Sequence, residues 1–143
     1  MLSEISSRRN ALEKSLRTMI RLVLTTIQGK KKGAETALKS IPEERRVRIA
    51  DQTIDNIFDR DSSPLYFLDL KNCILTNWEI FKNIFDQDKE RISIMLGDIA
   101  SIGRPDAHAK GVSETEFTQL RLHFQKLEEI LQDYKKLQLG YRH

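Results

Sequence analysis

Cysteine is almost missing from this chain: Cys73 stands alone among 143 residues. That excludes a disulfide framework and a cysteine-ligated zinc site within one chain. Long apolar runs are missing as well. Nothing approaches the ~20 residues that a membrane span needs, and the run Leu22-Val23-Leu24 lies inside an amphipathic pattern. The opening Met1-Leu2-Ser3-Glu4 carries an early acid and no long apolar region, so no secretory leader is expected. No useful stretch alternates apolar and polar residues with period two, which removes the signature of half-buried strands. Glycine-rich phosphate loops, nucleophile elbows and paired carboxylates are not found either. No internal repeat or low-complexity segment is visible. A strong charge of one sign is also lacking: 24 Lys and Arg stand against 21 Asp and Glu, a formal balance of +3. That is too mild to diagnose a nucleic-acid binder.

What remains describes one helical domain. Charged residues at 31% and hydrophobic ones at 39% fit a globular chain, and the length suits a single core. The expected fold is all-α, a bundle of four or five helices filling residues 1–143 as one domain. A cytoplasmic location is expected, with no membrane contact.

Apolar residues at Leu12, Leu16, Met19, Ile20, Val23, Leu24 and Ile27 form the stripe of a long amphipathic helix from Ile5 to Ile27. Gly29 is its stop, with the lysines behind it suiting the negative helix end. A short helix is expected over residues 33–40. Pro42 followed by Glu43 and Glu44 opens a helix that continues to about Phe58. Asp59-Arg60-Asp61-Ser62-Ser63-Pro64 is a polar turn. A third strong helix is expected from Leu65 to Phe85, with Phe67, Leu70, Ile74, Trp78, Phe81 and Phe85 on one stripe. At that spacing the aromatics read as core, and Cys73 beside them as a small buried hydrophobe. Ile92, Met95, Leu96, Ile99 and Ile102 give a further helix that ends at Gly103. Ser113-Glu114-Thr115-Glu116 is a capping box opening the last helix, whose buried face is Phe117, Leu120, Phe124, Leu127, Ile130 and Leu131.

Between those last two helices lies Gly103-Arg104-Pro105-Asp106-Ala107-His108, where titratable and phosphate-binding groups sit at a joint rather than on a solvated face. Lys30-Lys31-Lys32 and Arg45-Arg46-Val47-Arg48 could neutralise phosphates, but a solvated loop and a solvated helix face explain them more simply. His123 and His143 have no comparable context and receive no role. The three histidines have no metal-site spacing, and no cofactor is expected.

The order of three segments resembles the HEPN superfamily of small helical bundles, and within it the branch typified by a domain of the yeast synthetic-lethal-with-TREX endonuclease. The segments are Leu12-Glu13-Lys14-Ser15-Leu16-Arg17-Thr18-Met19-Ile20, then Tyr66-Phe67-Leu68-Asp69-Leu70 leading to Asn77-Trp78-Glu79-Ile80-Phe81, and finally Ile102-Gly103-Arg104-Pro105-Asp106-Ala107-His108. The resemblance spans about residues 12–131. It implies metal-independent RNA cleavage of the defence, toxin or RNA-processing kind, in a cleft shared by two protomers. RNA and a second copy of the chain are the implied partners; a protein partner or a larger parent chain is left open. Carried over, Arg104 holds the phosphate and His108 moves the proton. A guanidinium offers two parallel hydrogen bonds to phosphate, and an imidazole can exchange a proton near neutral pH. Two departures stand out. The three residues Pro105-Asp106-Ala107 make a shorter spacer than the active signature has, and Pro105 replaces a polar residue. Proline fixes its own φ and disfavours helix at Arg104. A non-catalytic module binding RNA or protein is therefore the alternative.

Overall fold

The computed structural model describes residues 2–102 and 111–140, and the structural statements below refer to these. The fold is all-α. Eight helices occur among the described residues: α1 (Leu2–Gln28), α2 (Lys30–Leu38), α3 (Glu43–Ile49), α4 (Ile54–Ile57), α5 (Phe67–Thr76), α6 (Trp78–Phe85), α7 (Lys89–Ile102) and α8 (Glu114–Gly140). The count exceeds the expected four or five because the short helix near residues 33–40 forms beside five longer expected ones, and two of those are each split by a short polar side chain. Thr53 is extended, and its hydroxyl accepts the Asn56 N–H at 3.3 Å, which starts α4 afresh. Asn77 leaves helical geometry at ψ 39°, and its side-chain amide donates to the Cys73 carbonyl at 2.9 Å. Such side chains compete with the backbone ladder and end it locally.

The chain divides into two compact units, one of Met1–Leu12 with Lys82–His143 and one of Glu13–Phe81. In the second, α1 contributes Leu16, Met19, Ile20 and Leu24, each at most 2% exposed. Phe58, Phe67, Leu70, Ile74 and Phe81 are equally buried. Burying each such side chain contributes about 1.5–3 kcal/mol. Gly29 joins α1 to α2 at φ +83° with free space around it, so only its conformation demands glycine. Within α2, a Cβ on Gly33 would stand 2.8 Å from Ile54 Cδ1 and 3.3 Å from Leu24 Cβ, so the helix approaches its neighbours closely there. The lysine run differs from expectation: Lys30 to Lys32 open α2 instead of trailing α1, and the Lys30 ammonium pairs with Asp55 at 3.0 Å. In the polar turn, one Asp59 oxygen accepts from the N–H groups of Asp61 and Ser62 and from the Ser62 hydroxyl. These bonds, the Ser62 hydroxyl foremost, hold the Asp59 carboxyl below its usual range.

The first unit is built on α7, α8 and the opening turns of α1. Ile92, Leu96 and Ile99 of α7 and Phe124 and Leu127 of α8 are fully buried. The face expected of the last helix is the face that packs. Arg8 ties α1 to α8: its Nε and Nη2 donate to the two Glu128 oxygens at 3.1 and 2.6 Å, and its guanidinium lies 5.3 Å from the Phe124 ring centre. Arg121 Nε donates to Glu4 at 3.2 Å. Both contacts advance in the same direction along the two helices, so α1 and α8 run parallel here.

Candidate functional site

Arg104 and His108, with Asp106 between them, lie outside the described residues. Their frame is described. On one side α7 runs to Ile102, with the Ser101 hydroxyl donating to the Gly97 carbonyl at 3.0 Å in its last turn. On the other, the expected capping box forms: Ser113 Oγ accepts the Glu116 N–H at 3.2 Å, and the Ser113 N–H donates to Glu116 Oε1 at 3.2 Å. The first turn of α8 is thereby fixed by its own sequence.

The same two helices build a feature that the sequence did not disclose. Arg91, Ile94, Met95 and Asp98 follow one another at helical spacing on α7, and Gln119, Leu122, His123 and Lys126 repeat that spacing on α8. Packed together, the helices set His123 Nε2 2.9 Å from Asp98 Oδ2. An ionised carboxylate can only accept, so Nε2 carries the hydrogen in this contact. The carboxylate thus sets the orientation of the ring, as a general acid or base or a ligand-binding imidazole requires. Beside the pair opens a cleft of about 510 Å³, lined by Arg91, Ile94, Leu122, His123 and Lys126, with Asp88 and Glu90 also on its wall. Asp88 is committed to the helix end, accepting the Arg91 N–H at 2.8 Å. Arg91 and Lys126 enter no ion pair among the described residues. Sequence alone gives His123 no role, because its partner lies 25 residues away; the shared spacing of the two stripes is the one signal of it.

Two other groups with chemical potential are structural. Arg45 donates from both terminal nitrogens to Asp69, at 2.7 and 2.6 Å, and lies 4.6 Å from the Tyr66 ring centre. Asp69, only 2% exposed, also accepts the Tyr66 N–H at 2.8 Å and so caps α5. Hydrogen bonding to Asp69 holds the Arg45 guanidinium even more firmly charged than usual. Arg46 donates to the Ile41 carbonyl at 3.0 Å. Two of the three arginines in the basic cluster are therefore occupied within the fold rather than merely solvated. Cys73 is buried, and that burial pushes its thiol up to about 12, which leaves it protonated and inert at neutral pH. Among the described residues no group of three or more His, Cys, Asp or Glu side chains converges as metal ligands would, and no helix is long and apolar enough to cross a membrane.

Comparison with protein-family models, with curated proteins and with solved structures finds no match.

Proposed function

We propose that this chain is an RNA-acting domain of the HEPN kind, a metal-independent endoribonuclease of the defence, toxin or RNA-processing type. What supports this is the position of the Arg104–His108 segment in the chain, between two helices that pack directly on each other and belong to one unit. Arg104 neutralises the scissile phosphate with paired hydrogen bonds. The ribose 2′-oxygen attacks the adjacent phosphorus as it loses its proton, and the bond from phosphorus to the 5′-oxygen breaks. His108 takes the first proton or supplies the one that the departing oxygen needs. A second copy of the chain completes the cleft, so the active species is a homodimer. The test is cleavage of RNA in EDTA by the purified protein beside its His108→Ala variant. Cleavage confined to the unsubstituted protein supports the proposal; none, or equal cleavage by both, removes it.

Pro105 and the three-residue spacer favour one other reading, a module that binds RNA or a protein without cutting. Salt-sensitive RNA binding by an uncleaving protein would favour the RNA form of that reading. A partner that stays bound at high salt would favour the protein form.

A further inference from the structure

The cleft between α7 and α8 is separate in its residues from the Arg104–His108 pair, and its chemistry is its own. Three observations bear on what it takes. Its two long cations, Arg91 and Lys126, have no carboxylate partner among the described residues. The acids on the cleft wall serve the helix end, Asp88 as the cap of α7 and Glu90 in its first turn, and those nearest Lys126 in sequence are engaged elsewhere, Glu128 with Arg8 and Glu129 with Gln125. The same lining includes apolar side chains, of which Ile94 and Leu122 are 54% and 60% exposed. The imidazole of His123 is largely covered, with 16% of its side chain accessible, and is fixed in orientation by Asp98. Two unpaired cations on the lining of one groove are donors that a phosphate group uses, and with Nε2–H given to Asp98 the imidazolium form of His123 adds a third donor from Nδ1. Exposed aliphatic side chains beside them are a surface on which a ribose or base can lie. Asp88 and Glu90 match the two cations in number, so the lining offers no formal excess of positive charge for a run of phosphates.

We infer that the α7–α8 cleft binds one nucleotide, its phosphate held by Arg91, Lys126 and His123 and its sugar or base resting on Ile94 and Leu122. This extends the RNA-acting reading but depends on different residues. Two sources share that chemistry, a free mononucleotide and one unit of a single-stranded RNA.

The experiment is a titration of the isotope-labelled full chain, followed by amide and imidazole NMR shifts. The ligands are uridine monophosphate, uridine without its phosphate, and a short oligouridylate too short to be cleaved usefully. Shifts are expected at residues 88–98 and 119–126 with the monophosphate and not with uridine. A stronger response to the oligomer marks RNA as the source; equal responses mark the free nucleotide. The charge-reversed Arg91→Glu/Lys126→Glu protein, checked for unchanged helicity, should bind at least about tenfold more weakly, and His123→Gln should lose the imidazole contribution while keeping the fold. Absence of shifts at millimolar monophosphate, shifts confined to another surface, equal binding of uridine, or unchanged affinity in the reversed variant would each overturn the assignment. His108→Ala separates the two proposals. Cleavage lost with cleft binding kept supports both, whereas cleft binding in a protein that never cleaves removes the nuclease and leaves this site standing.

Discussion

At the scale of single residues the most consequential pair is Arg45 with Asp69. A carboxylate that is 2% exposed holds its charge only because two guanidinium donors and one backbone N–H satisfy it. Removing the cation leaves that charge stranded. Arg45→Ala should therefore lower stability by about 2–3 kcal/mol, less than a fully buried pair would lose because the arginine itself is partly exposed to water. The Arg45→Met/Asp69→Leu double variant should recover much of this, because neither charge then needs solvation; urea unfolding of the three proteins measures it. Cys73 supplies a second residue-scale prediction. Burial favours its protonated thiol, raising it from 9.0 to about 12, so the folded state binds a proton more tightly than the unfolded one does. The contribution is whole below pH 9 and is lost as pH rises from there toward 12. Native protein at pH 8 should resist a thiol reagent and react fully in denaturant; rapid labelling of the folded chain would contradict the buried placement.

Helices respond to their ends. Ser113 and Glu116 satisfy each other's backbone donors at the start of α8, so Ser113→Ala should cost about 1 kcal/mol and speed hydrogen exchange in that first turn before any other. Gly29 makes a different point, because nothing lies within 4 Å of where its Cβ would be. Gly29→Ala should still cost about 1 kcal/mol, all of it from the φ of +83°, and thermal unfolding reads the loss. These ends show what a sequence discloses. Gly29, the Pro42 helix start and the Ser113 box depend on neighbours a few residues away, and the structure places helix boundaries at all three. Ile27 and Val47 fit their apolar stripes by spacing yet are 59% and 73% exposed, because a stripe near a helix end need not meet a partner. The breaks at Thr53 and Asn77 were hidden because each turns on which hydrogen bond a side chain chooses. His123 was hidden for a stronger reason: its meaning comes from Asp98 on another helix, and only tertiary packing joins them.

For the molecule as a whole, charge sets the terms on which RNA can be bound. The formal excess is +3; Arg45 and Arg46 are already engaged within the fold, and Lys30 pairs with Asp55 at the surface. With 21 acids against 24 cations, little net positive charge is left to displace counterions from a single strand. With two or three phosphates neutralised, the logarithm of RNA affinity should fall against the logarithm of salt with a slope of about −2, well short of the steep dependence of strongly basic binders. The proposed second protomer makes activity depend on concentration, so specific activity should drop on dilution as light scattering passes from dimer to monomer mass. The proposed cleavage rests on a guanidinium and an imidazole, Arg104 and His108, meeting one phosphodiester without a metal. The most direct measurement is RNA cleavage in EDTA by the intact chain and by His108→Ala. The nuclease proposal predicts cleavage products with cyclic phosphate ends and a loss of at least about 100-fold in the variant; intact RNA with both proteins, or equal cleavage by both, would contradict it.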